Sequence, residues 1–268
     1  MADLAITLTH QTSHRVTANI SYHSFSVSTD GTSSCPALGK PWLRACQNAT
    51  LQFPRDLDPV AGLSEEERRC TFTPCAGGTN RNDGLAILTR NGRITGLLGL
   101  PRPYRTLTAE VVDVGGGFPE SVIESIHRTG AICIAGGTGI APFMTMGGAI
   151  AAKLHLLWSV GSDDFGFVEF VLEKQLLRVE QWSRITVFVT SGEDAGGRVV
   201  KKPATLWTDK FSSLRFTYPG LGLEKRRTTQ GDMVPEVKAV LFCGSKSLEW
   251  QIRMWTMGTA DVYCTEAA

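Results

Sequence analysis

The run Ala131–Met146, AICIAGGTGIAPFMTM, limits what this chain can fold into more than any other stretch. It opens with Ala131-Ile132-Cys133-Ile134-Ala135, an apolar and partly β-branched segment that reads as a buried strand. Gly136-Gly137-Thr138-Gly139 follows, and then Ile140-Ala141-Pro142. Pro142 suits the first turn of a helix, where a missing N–H costs nothing. In a strand, glycine turn and helix start, backbone N–H groups can approach an anion, and the helix N-terminus adds partial positive charge. A phosphate-bearing ligand is the natural guest. The same residues also suit an ordinary βα turn packed closely through its glycines.

The residues after this unit alternate between two periodicities. Leu154–Val160 reads as a second strand, and Ser162-Asp163-Asp164 supplies helix-capping side chains. Phe165, Val168, Val171, Leu172 and Leu176 then recur at helical spacing. Ile185–Val189 and Lys238–Phe242 read as strands, Lys246–Met257 as a helix carrying Leu248, Trp250, Ile252 and Trp255, and Asp261–Cys264 as a last strand. Such alternation predicts a parallel sheet with helices on both faces. Residues 190–236 are polar, glycine-rich and basic in patches, and read as an excursion over the surface.

The N-terminal half has a different pattern. Residues 4–11 and 15–28 alternate in period two and are rich in Thr, Val, Ile, Ser, Tyr and Phe, which argues for strands. Leu51-Gln52-Phe53, Cys70–Cys75, Leu85–Arg90 and Leu107–Val114 read likewise, with loop composition over 29–41 and a charged surface turn over 63–69. Short strands separated by turns predict a small antiparallel β-barrel. Two domains are expected, a barrel over 1–128 and an α/β nucleotide-binding domain over 129–268.

Gly136–Pro142, GGTGIAP, resembles the pyridine-nucleotide motif of the ferredoxin–NADP reductase family. Val240–Ser245, a strand running into Cys-Gly-Ser, resembles that family's turn near the nicotinamide. The two motifs stand in the family's order and spacing, so the resemblance is specific over 129–268. It implies that Gly136, Gly137, Thr138, Gly139, Pro142 and Gly244 bind NAD(P)H. It places Cys243 beside the nicotinamide as a catalytic residue, with Glu266 as its polar partner, and sets Ser191 and Arg198 where a 2′-phosphate would select NADP. Taken on their residue types alone, Cys243 also suits a buried strand end, Glu266 an exposed terminus and Arg198 a solvated loop.

In that family the barrel binds FAD through R-x-[YF]-[ST] and G-x-x-[ST]. The second motif is matched by Gly92-Arg93-Ile94-Thr95, so Gly92 and Thr95 are flavin-site candidates. The first is incomplete in two registers. Cys70-Thr71-Phe72-Thr73 keeps a ring at Phe72 and a hydroxyl at Thr73, and needs Arg69 or Arg68 from next door. Arg68-Arg69-Cys70-Thr71 keeps the arginine and puts Cys at the ring position. The chain also ends Glu266-Ala267-Ala268, without a terminal aromatic. The resemblance therefore implies FAD with one contact missing.

Net charge is +1, so electrostatics give no case for nucleic acid or an anionic membrane. No run of 18 apolar residues occurs, and the N-terminus lacks a signal-peptide pattern. Seven cysteines without a C-x-x-C suit free thiols in the cytoplasm. Cys70 and Cys75 start a C-x4-C spacing with no third cysteine, so no iron–sulfur motif is present. His10 and His14 read as surface residues, and no metal site is expected. Two functions are consistent with this pattern. One is an NAD(P)H–flavin oxidoreductase acting on a small-molecule substrate or electron acceptor. The other is a flavin-free descendant performing a cyclisation or isomerisation on an apolar small molecule in an interdomain cleft.

Overall fold

The computed structural model describes residues 6–28, 43–58, 62–77, 84–100, 106–190, 214–217 and 238–265. The chain divides into two compact units at Gly117/Phe118.

The first unit contains β1 (Ile6–Arg15), β2 (Ile20–Ser28), β3 (Asn48–Gln52), β4 (Arg69–Phe72), β5 (Pro74–Gly77), β6 (Leu85–Arg90) and β7 (Thr108–Gly115), with a short helix α1 (Arg93–Leu98). The strands pair in the order β4-β3-β7-β1-β2-β6-β5, all antiparallel. The two outermost strands, β4 and β5, are consecutive in sequence with Thr73 between them. One stretch of chain thus pairs with both ends of the sheet and closes it into a barrel. Period two supplies the core: Ile6, Leu8, Phe25, Leu51 and Ile87 turn inward with Phe53, and Leu98 of α1 joins the same cluster.

The second unit contains α2 (Glu120–Thr129), β8 (Ala131–Gly136), α3 (Ala141–Met144), α4 (Gly148–Ala151), β9 (Leu154–Gly161), α5 (Phe165–Glu173), β10 (Arg184–Thr190), β11 (Leu214–Thr217), β12 (Ala239–Cys243), α6 (Lys246–Thr256) and β13 (Asp261–Cys264). All six strands are parallel, in the order β11-β10-β9-β8-β12-β13. Strand order reverses between β8 and β12, and the outer ends of two such strands form the usual ligand crevice of an open α/β sheet. Leu154–Trp158 is buried without a break, as expected of a strand covered on both faces.

Two boundaries differ from the sequence reading. The units meet before α2 rather than at 128/129. Val122 and Ile126 are buried, Lys153 Nζ donates to the His127 carbonyl at 2.8 Å, and Gly130 at φ +77° turns the chain straight into β8. The helix is thereby tied to the α/β unit. The stretch read as a surface excursion contains β11, which pairs with β10 from Ile185↔Leu214 to Phe188↔Thr217 and extends the sheet.

Candidate functional site

At the point of reversal the two sequence motifs come together. β8 ends at Gly136, and Gly137–Ile140 form a single 3-10 turn leading into α3, with Pro142 in its first turn. β12 ends at Cys243, Gly244 follows, and Ser245 caps α6, its hydroxyl accepting from the Leu248 N–H at 3.4 Å. Ala135 is registered against Cys243, so the two turns lie side by side.

The glycines are required for different physical reasons. A Cβ at Gly139 would overlap the Cys243 carbonyl oxygen and stand 3.2 Å from Gly244 N. A Cβ at Gly244 would meet the Phe242 ring at 2.9 Å and Gly136 N at 3.3 Å. Gly137 has φ +53°, a left-handed conformation that costs a branched residue about 1–2 kcal/mol. Gly136, Gly137, Thr138 and Gly139 are half-buried above a floor of buried Ile140, Pro142 and Phe143. Glycine backbone at a sheet switch point suits an anionic nucleotide group.

Trp158, which the sequence reading treated only as a strand residue, supports this surface from below. Its indole Nε1–H donates to the Gly137 carbonyl at 3.0 Å, and its ring packs edge-on against Phe167 at 5.3 Å. A signal existed in its ring: a tryptophan in a fully buried strand needs an acceptor for its N–H.

Cys243 is half-buried. Burial pushes its thiol pKa up, and the Thr265 hydroxyl works against that shift. The group is therefore a neutral thiol near pH 7, not a thiolate nucleophile. The Thr265 N–H donates to the Phe242 carbonyl at 3.1 Å, which fixes the chain beside this turn. Glu266, Ser191 and Arg198 lie outside the described residues.

The barrel candidates are sorted by the alternation of β4. Arg69 and Thr71 are exposed, whereas Cys70 and Phe72 turn to the core side. The Phe72 ring lies edge-on to Phe53 at 6.3 Å. Thr71 shares its outer face with Thr50, their hydroxyls 2.9 Å apart. Thr73 donates to Asn48 Oδ1 at 2.7 Å. The face opposite the core carries Arg69 and Thr71, and the core side carries Cys70 and Phe72. Arg68 is buried and donates to the Phe53 carbonyl at 2.7 Å.

Gly92 and Thr95 begin α1. The Gly92 N–H donates to Thr95 Oγ1 at 2.7 Å, and that hydroxyl donates to the Arg90 carbonyl at 3.0 Å. The threonine is thus engaged in capping its own helix. For an FAD, the barrel offers an exposed guanidinium at Arg69 and a helix start at Gly92, but no ring on the outer face of β4. β4 offers, among the described residues, a phosphate contact at Arg69 and no stacking ring on its outer face. Among the described residues, no group of three or more His, Cys, Asp or Glu is arranged to hold a metal ion, and no helix is long and apolar enough to cross a membrane.

No protein-family profile and no curated protein sequence matches this chain. Solved structures do. The cytochrome P450 reductase GcoB of Amycolatopsis is 14% identical with a TM-score of 0.59, covering 97% of this chain and 68% of that one. The ferredoxin reductase of carbazole 1,9a-dioxygenase is 12% identical at TM-score 0.58, covering 97% and 68%. A ferredoxin NADP+ reductase from Neisseria gonorrhoeae, with bound FAD and NADP, is 13% identical at TM-score 0.56, covering 96% and 97%. The chain has the two-domain fold of the ferredoxin–NADP reductases, an antiparallel barrel followed by a parallel α/β unit.

Proposed function

We propose that this chain is an NAD(P)H-dependent oxidoreductase. Its α/β unit binds the pyridine nucleotide at the switch point, and its barrel engages flavin weakly. One observation carries the reading: two glycine turns a hundred residues apart in sequence are packed backbone to backbone where β8 and β12 diverge, and any side chain at Gly139 would separate them. Gly136–Gly139 would hold nucleotide phosphate through backbone N–H groups, and Gly244 would leave space for the nicotinamide end. Cys243, kept as a neutral thiol by burial, would border that ring without competing for hydride. Flavin, when bound, supplies the hydride-accepting ring. Arg69 would contact its phosphate, and Thr71 would leave its ring unstacked. The structural neighbours named for FAD and NADP support this reading at the level of fold. The six described cysteines are thiols outside any disulfide, which fits the reducing cytoplasm.

Titration calorimetry with NADH and NADPH, alongside oxidation of each in the presence of added FAD, tests the reading. Nucleotide binding with flavin-dependent turnover is expected, and protein purified without stoichiometric flavin. Absence of binding to either nucleotide refutes it. The outer face of β4, which carries Thr71 and no ring, favours the second reading, a flavin-free protein acting on an apolar small molecule. That reading gains if nucleotide binds but no flavin or artificial acceptor is reduced.

A further inference from the structure

Trp158 is entirely buried in the middle of the α/β sheet. Its only polar atom, the indole nitrogen, donates to the carbonyl of Gly137, the one residue of the glycine turn with positive φ. The Gly137 carbonyl and the Thr138 N–H belong to the same peptide unit. In a trans peptide the two point in opposite directions. Fixing the oxygen on Trp158, beneath the turn, directs the Thr138 N–H away from the buried strand and toward the open side. A free rotation of that peptide would present the carbonyl oxygen there instead, and an oxygen repels an anion where a hydrogen attracts it. Glycine at 137 permits either orientation, since it has no Cβ to bias the backbone. The 3-10 turn over Gly137–Ile140 favours one orientation, the indole adds a side-chain hold on it, and Phe167, packed edge-on against the ring at 5.3 Å, keeps the indole in place.

Resting on the nucleotide-binding reading above, we propose that Trp158 is a positioning residue of the nucleotide site. It pins the Gly137–Thr138 peptide in the orientation that offers an N–H donor to the bound phosphate. It touches no ligand itself and acts through one hydrogen bond.

The test compares Trp158→Phe, which removes the donor and keeps a large ring, with Phe167→Leu, which loosens packing and keeps the donor. NADPH affinity is measured by calorimetry and the thermal midpoint by denaturation. The dissociation constant should rise at least fivefold in Trp158→Phe and less than twofold in Phe167→Leu, although both variants melt earlier. A second readout needs no variant affinity. Of the six tryptophans, the indole N–H resonance absent from Trp158→Phe should shift when NADPH is added to the unaltered protein. Unchanged affinity in Trp158→Phe, equal weakening in both variants, or an indole signal indifferent to NADPH overturns the proposal and leaves the nucleotide site standing. Failure of the unaltered protein to bind NADPH or NADH overturns both.

Discussion

His23 sets how the barrel responds to acid. It lies on β2, fully buried, with Nδ1 2.7 Å from the Ser13 hydroxyl. Burial, and then the nearby His10, pull its pKa from the usual 6.5 down to about 4. Protonation is therefore easier in the unfolded chain than in the folded one. Above pH 6.5 both states are neutral at this residue and stability is unaffected. As pH falls below 6.5 the unfolded state takes up the proton first, and stability drops until the folded imidazole also titrates near pH 4. A difference of about 2.5 pKa units at roughly 1.4 kcal/mol each gives a loss of about 3 kcal/mol across that window. Barrel opening can be followed separately from the other unit through Cys46 and Cys75. Both are buried, and burial pushes the Cys75 thiol up to about 12, so labelling there reports opening. Divided by the labelling rate of a free thiol at the same pH, which falls with its thiolate fraction, labelling of those two residues should rise progressively from pH 6.5 to 4, and His23→Leu should flatten the dependence. An imidazole resonance of folded His23 that titrates near 6.5, or a His23→Leu profile parallel to the parent's, would refute the reasoning.

Four further outcomes follow from the sites. Gly139→Ala drives a methyl into the Cys243 carbonyl; prying the turns apart costs about 1–3 kcal/mol, and calorimetry should show NADPH affinity reduced tenfold or more. Thr71→Tyr places a ring on the outer face beside Arg69 and should raise FAD affinity by roughly tenfold to a hundredfold, read by quenching of flavin fluorescence; Cys70→Arg, whose side chain would enter the core, should instead destabilise the barrel by several kcal/mol in urea unfolding. Thr95→Ala deletes the hydroxyl that takes the Gly92 N–H and should lower barrel stability by about 1 kcal/mol, measured by the same unfolding curve.

The parts of this fold set by local pattern were legible in the sequence. Alternation marked β1, β2, β6 and β7, and the apolar runs marked β8, β9 and β10, because burial on one face or both leaves a direct imprint on residue type. The glycine turn and the Cys-Gly-Ser turn were legible as motifs. Their contact was not, since the overlap of Gly139 with Cys243 depends on β8 and β12 being neighbours. β11 was missed because its four residues, Leu-Arg-Phe-Thr, sit in polar surroundings and become a strand only by pairing with β10. The flavin-motif register was left open for a related reason. Choosing between Arg68 and Arg69 requires knowing which face of a four-residue strand meets the core, and Phe53, the residue that decides it, lies on another segment. His10, read as a surface residue, lies in an exposed contact with Nε2 2.9 Å from the Ser13 hydroxyl and its ring 6.1 Å from that of His23.

Because β4 and β5 are one stretch of chain joined at Thr73, loss of that stretch would free both edges of the barrel. Thr73 is tied to β3 through Asn48, and Pro74, which lacks an N–H, begins the strand that pairs with β6. Opening at this corner would bare the hydrogen-bonding rows of β3 and β6 at the same moment. Either row is a template for a strand from another molecule. β6 is the more hazardous, since Leu85-Ala86-Ile87-Leu88-Thr89 is apolar, uncharged and free of proline. Damage to residues 69–77 would therefore show first as precipitation of intact chains, before any change in what the surviving soluble molecules bind.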